Sequence, residues 1–274
     1  MKKQATLIAI CMLVLAACAT APEPKKSGSD EEAYTKAMNS FNHKNYFDAI
    51  PAFEELREKF PMSPYAVIAE LRLGDSHYAQ DQYVEAVHFF ENFRRLHPSN
   101  HSVPYSIYMT GMCHYQQVLS LDRDQTFAEE AAEQFQQLIE LYPKSSYTGR
   151  ALCKLAESKK RIAEHEFFIG SFYLKKENYK GAIDRFNKAL KKYPNSIEKD
   201  KFLFNIGDAT IRSGDEKRGK KILAFLLKKY PDGPYAQQAK ALVSAPARAS
   251  SGKKEKKKVE VPAQNTQSNS EGLY

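Results

Sequence analysis

Ala182–Pro194 reads AIDRFNKALKKYP: a small residue, a large apolar one four positions on, and a proline eight beyond that. The same skeleton recurs at Ala49/Phe53/Pro61, Ala86/Phe90/Pro98, Ala131/Phe135/Pro143 and Gly219/Leu223/Pro231. Twelve residues ahead of the small residue, the second, fourth and fifth copies carry Gly74, Gly170 and Gly207, and the first carries Ala37. Two small residues, one on each helix, let paired helices approach closely. The large residue, one turn on, fills the gap between neighbouring hairpins. Proline then stops the second helix, because it lacks an N–H and drives its predecessor out of the α region.

This spacing resembles the tetratricopeptide repeat, a helix–turn–helix unit that stacks into a superhelix. It predicts an all-α domain over 30–245, a right-handed superhelix of five such hairpins. The repeats fall at about 30–64, 65–101, 102–144, 145–196 and 197–232, with a capping helix over 233–245. The proline-to-proline intervals are 37, 45, 51 and 37 residues. The third copy holds eight extra residues around LSLDRDQT, Leu119–Thr126, an enlarged loop in which Asp124 or Thr126 caps the next helix. The fourth holds fourteen extra residues ahead of its first helix, almost four whole turns. One long helix is predicted there, from about Ser146 to Lys176. It would be a rigid spine standing proud of the stack, with Leu152, Leu155, Ile162 and Ile169 along one side.

The chain opens MKKQATLIAICMLVLAACAT, in which Lys2 and Lys3 precede a thirteen-residue apolar run, Ala5–Ala17. That is short of the ~20 residues a membrane-spanning helix needs and suits a secretory signal. Leu15-Ala16-Ala17-Cys18 resembles the bacterial lipobox, which implies a signal peptide over 1–17, a lipidated Cys18 and a tether over 18–29. One acyl chain holds a protein weakly at roughly 0.8 kcal/mol per CH₂, and two or three hold it firmly. Ala19, where Asp would retain the protein elsewhere, implies the outer membrane. Cys113 and Cys153 stand forty residues apart without a framework spacing, which predicts two helix-buried thiols.

The net charge of +8 is not a nucleic-acid signal once it is located. Asp30–Cys153 carries ten basic against eighteen acidic side chains, and Lys154–Ala245 twenty-one against eleven. An acidic half joined to a basic half implies two different contact surfaces. The tail over 246–274, PARASSGKKEKKKVEVPAQNTQSNSEGLY, is basic and has too few large apolar groups to fold.

Catalytic signals are missing. No GxSxG, HExxH or glycine-rich phosphate loop occurs, and the carboxylates follow helix-surface spacing. The seven histidines are scattered, with no Cys/His zinc spacing, so no cofactor or metal is expected. Tyr65, Tyr147 and Tyr235 each follow a repeat proline by four residues. They read either as packing staples between repeats or, with Phe60, Tyr65 and Tyr78 together, as the lining of a groove for an extended peptide.

The lipobox, the five repeats and the stretch RRLHPSNHSVPYSIYMTGMCHYQQ…LYPKSSYTGRALCKLAESKKRIAEHEFFIGSFYLKKENYKGAIDRF resemble the BamD family, lipoproteins of the outer-membrane β-barrel assembly machine. The resemblance covers roughly residues 15–243 and leaves the tail aside. It implies a scaffold that binds the periplasmic POTRA domains of the barrel-forming subunit, sits with other assembly lipoproteins and receives the C-terminal signals of unfolded outer-membrane proteins. Arg185 in GAIDRF matches the family's partner-interface arginine, with Glu166 and Lys176 expected to join it. Phe60 and Tyr65 match the aromatic step near the signal-binding groove, although Phe60 lacks a hydroxyl. A pilotin-like or cell-wall-associated repeat lipoprotein would share the lipobox and repeats but lack the fourteen-residue extension.

Overall fold

The computed structural model describes residues 28–246, so Cys18 and the basic tail lie outside the described residues. Among them the chain forms eleven helices and no strand. They run as five hairpins: α1 (Asp30–Asn42) with α2 (Tyr46–Lys59), α3 (Pro64–Ala79) with α4 (Tyr83–Leu96), and α5 (Val103–Gln116) with α6 (Thr126–Leu141). Then come α7 (Thr148–Lys175) with α8 (Tyr179–Lys192), and α9 (Lys199–Arg212) with α10 (Glu216–Lys229), capped by α11 (Ala236–Ser244). Each helix packs on the one before and the one after, as in a tetratricopeptide-like superhelix.

The proline rule acts at the backbone. Phe60, His97, Tyr142, Tyr193 and Tyr230 each precede a repeat proline, end the second helix, and share φ between −127° and −134°. Their ψ of 48–62° takes them out of the α region, which a following pyrrolidine ring disfavours. Phe53, Phe90, Phe135, Phe186 and Leu223 are all fully buried. Each of the last four sits on a glycine of its own hairpin's first helix. A Cβ on Gly74 would lie 2.7 Å from the Phe90 ring, one on Gly111 2.6 Å from Phe135, and one on Gly207 2.5 Å from Leu223. The large residue therefore fills its own hairpin first, and reaches the next repeat second, as Phe90 does at 6.1 Å from Tyr105.

Hairpin turns one, two, four and five pass through a left-handed residue, Lys44, Asp81, Glu177 and Gly214. Only the last is a glycine, the residue without a Cβ penalty there. Glu177, exposed at φ 57°, is strained for no visible return. Glu177→Gly is expected to stabilise the protein by about 1 kcal/mol, raising the midpoint of thermal unfolding by about 2–4 °C. An unchanged or lowered midpoint would refute this.

The long helix runs from Thr148 to Lys175, twenty-eight residues, with Ala151, Leu155, Ser158, Ile162, Ala163, Glu166 and Gly170 buried. Leu155 and Ile162 belong to this stripe, whereas Leu152 is half exposed and Ile169 half buried, because the buried face follows steps of four and three from Ala151. Nor does α7 stand proud. Its first half packs on α6, where Lys159 donates to Gln136 at 3.1 Å, and its second half packs on α8. The enlarged loop of the third repeat closes over it too: Arg161 donates to the Leu119 carbonyl, and His165 donates from Nδ1 to the Leu121 carbonyl at 2.7 Å. Asp124 accepts from the Thr126 N–H at 2.8 Å where α6 starts, and those hydrogen bonds hold its carboxyl below its usual pKa. Both cysteines lie on helices and both are free, but only Cys113 is buried, with its thiol pushed up to about 12 by burial. Cys153 is exposed.

Candidate partner-binding surfaces

Arg185 lies on α8 one residue before the buried Phe186, which turns it toward the helix flank. Its Nη1 is 3.1 Å from Glu166 Oε2, and Lys188 Nζ is 2.5 Å from Glu166 Oε1. The carboxylate side chain is 5% exposed, while Arg185 and Lys188 keep 37% and 51% of theirs. Burial pushes the Glu166 pKa up, but the hydrogen bonds and charges of Lys188 and Arg185 outweigh it and hold the group below 4.5. The bond to Glu166 in turn raises Arg185. Glu166 is thus no surface contact. It is a buried anion that fixes two cations on the outside of α8, and Lys192 continues the same face one turn on. Lys176 stays on its own helix, its ammonium 5.9 Å from the Phe172 ring centroid.

The aromatic residues of the first two repeats do not converge. Tyr65 stacks on Tyr34 of the preceding hairpin, centroids 4.7 Å apart, in the small core that also holds Phe60. Tyr78 packs in the neighbouring main core, edge-on to Tyr83 at 5.5 Å, and its hydroxyl accepts from Gln116 at 3.0 Å. The staple pattern recurs. Tyr147 lies 5.3 and 5.6 Å from Tyr105 and Tyr108, and Tyr235 stacks on Phe204 at 5.3 Å. The partners Tyr34, Tyr108 and Phe204 each stand three residues before the repeat's small residue, a sequence signal the spacing rule omitted. Phe60 opens on a cavity of about 200 Å³ beside Lys36, Glu55 and Lys59.

One concavity was not anticipated. A cleft of about 760 Å³ opens between the middle of α7, Leu121 of the third-repeat loop, and the start of α9. Its floor is aromatic and aliphatic, with Phe167, Phe168, Ile197 and Phe202. Phe167 is anchored by Phe186 and Phe202 at 5.3 and 5.1 Å, whereas Phe168 is 42% exposed. Among the described residues no group of three or more His, Cys, Asp or Glu side chains is placed to hold a metal, and no helix is long and apolar enough to cross a membrane.

Stacked helix hairpins of this class present the extended surfaces that repeat proteins use for binding. Residues 26–206 match the family described as YfiO, outer membrane lipoprotein, and the chain belongs to it. Among curated relatives, it is 27% identical to the outer membrane protein assembly factor BamD of Neisseria meningitidis over 83% of this chain and 91% of that one. The BamD of Rickettsia prowazekii is 27% identical over 84% and 92%, and that of Caulobacter vibrioides 27% over 73% and 66%. Solved repeat structures align more loosely. The yeast Sti1 TPR2AB domain, solved as an Hsp90 complex, gives a TM-score of 0.40 at 13% identity, covering 78% of this chain and 82% of that one. The hairpins themselves, not that superposition, define the fold.

Proposed function

We propose that this chain is a lipid-anchored scaffold that assists protein insertion into the outer membrane, held at the periplasmic face through acyl groups on Cys18. On this reading it binds the POTRA domains of the barrel-forming assembly subunit, sits with other assembly lipoproteins, and receives the C-terminal signals of unfolded outer-membrane proteins. It needs neither cofactor nor nucleic acid, and it is not an enzyme. What supports the reading is the family match, the relatives' name as assembly factors, and the Glu166–Arg185–Lys188 cluster.

That cluster is the observation that carries the partner interface. A pair of half-exposed cations, ordered from beneath by a buried anion, loses little side-chain freedom when an acidic partner face arrives. Arginine in such a setting is a typical hot spot. Glu166 contributes by positioning, and Lys176 would extend the contact past the end of α7. The client groove falls to the first two repeats, with Phe60 and its adjoining cavity as the opening and Tyr65 and Tyr78 supporting its walls.

Arg185→Glu is expected to weaken capture of the barrel-forming subunit's periplasmic domains at least about tenfold, the loss of one hot-spot residue. Arg185→Gln, which introduces no negative charge beside Glu166, should weaken it in the same direction while the variant still folds, as its helical circular dichroism checks. Undiminished capture by both variants would sink the interface.

A further inference from the structure

The fourteen residues that lengthen α7 equal one repeat helix, since α2, α4, α5, α8, α9 and α10 have fourteen each. The first half of α7 therefore acts as the opening helix of a hairpin that has no second helix of its own. The side such a helix would cover carries Ala156, Glu157, Lys160 and Glu164, and opens into the cleft over Phe167 and Phe202. We propose that the segment Lys253–Pro262 of this same chain, KKEKKKVEVP, docks in that cleft.

Charge favours this occupant. Glu157, Glu164 and Glu198 line the cleft, and Asp200 stands in the first turn of α9 beside it. Lys160 pairs with Glu164 at 3.8 Å, Lys154 with Glu157 at 2.7 Å, and Lys201 lies over the Phe167 ring at 4.3 Å, so Glu198 and Asp200 are the carboxylates left without an ion pair among the described residues. The segment brings five lysines against two glutamates. In an extended chain Val259 and Val261 share one face, and that face matches the apolar floor.

Reach favours it as well. The described chain leaves the stack at Ala245, whose carbonyl accepts from Lys220 Nζ at 2.6 Å on the second turn of α10. From there to the start of α9 is about 30 Å, the length of that helix plus one interhelical spacing. Thirteen extended residues, 246 to 259, span up to about 43 Å. A tether of that length holds the segment at millimolar effective concentration, so modest contacts suffice. Covering the floor also shields exposed Phe168, the kind of apolar patch that otherwise invites adventitious association.

The test places benzoylphenylalanine at position 259 of the full lipoprotein in native membranes, with position 268 as a control, and maps adducts by mass spectrometry. The expected product is an intrachain adduct between position 259 and residues of the cleft, in 156–168 or 197–202, much weaker from position 268. Glu164→Lys combined with Glu198→Lys should lower its yield about fivefold, the combined loss of two exposed ion pairs. An adduct elsewhere on the chain, an adduct with a second copy or another protein, no adduct, or a yield indifferent to the charge reversals would each overturn the proposal. None of these outcomes bears on Arg185, so the scaffold reading stands or falls separately.

Discussion

Gly170→Val is expected to cost the protein about 3 kcal/mol, at the upper end of what overpacking does. A side chain at position 170 meets Cε1, Cδ1 and Cζ of Phe186, all closer than a Cβ contact allows. That ring has nowhere to go. It is fully buried, with Phe167 at 5.3 Å and Phe202 at 6.0 Å, so moving it disturbs repeats four and five together. Repeat one sets the scale for a smaller change, because there Ala37 and Phe53 are both fully buried at the equivalent positions. A hairpin can thus be spaced for one methyl but not for a branched side chain. Gly170→Ala should cost about 1–2 kcal/mol, and Phe186→Leu in that background should return part of it by freeing the volume. The measurement is urea unfolding followed by circular dichroism. If the valine variant unfolds with the wild-type midpoint, the glycine seat is not what spaces the hairpin.

That seat was legible in the sequence because each of its three positions is set by a local rule repeated five times. A large side chain needs a small residue across from it, alanine in the first copy and glycine in the other four, and a proline must end the helix that carries it. Insertions obey a weaker constraint. Fourteen residues identified α7 as a whole number of turns, yet they did not reveal that its two halves pack on different helices, or that the third-repeat loop locks down on Arg161 and His165. Leu152 and Cys153 read as core for the same reason. Apolar identity says that a residue can be buried, and only a neighbour decides whether it is; the first half of α7 has no such neighbour on that side. The aromatic residues of the first two repeats were less legible. Tyr65 and Tyr78 lie at opposite ends of α3, which puts them in separate cores, where Tyr34 and Tyr83 already pack on their rings. For Arg185 the position just before the buried Phe186 was informative; Glu166, 19 residues upstream, was expected to join it at the interface, but not as its buried ion-pair partner.

Glu166 is where fold and binding surface depend on the same atoms. Glu166→Gln keeps the volume and one acceptor, but it removes the negative charge shared by Arg185 and Lys188. Fully buried pairs lose about 3–5 kcal/mol when one partner is deleted. Here both cations reach water, so the expected loss is about 1–3 kcal/mol. The sign of its pH dependence is fixed by the lowered carboxyl pKa. A carboxylate depressed in the folded state contributes fully above its unfolded value of 4.5, and loses that contribution as pH falls through the lower folded value. Wild type should therefore exceed Glu166→Gln in stability at pH 7, and the two should converge as the pH is taken down past the folded pKa. A gap that persists undiminished in acid would mean that shape, and not charge, is what Glu166 supplies. Binding adds an independent reading. With the anion gone, Arg185 is free to sample other rotamers, so capture of the acidic partner should weaken even though no contacting residue has changed. Raising salt should reduce wild-type capture more steeply than the variant's, because an ordered pair of cations presents its charge together and a disordered pair does not.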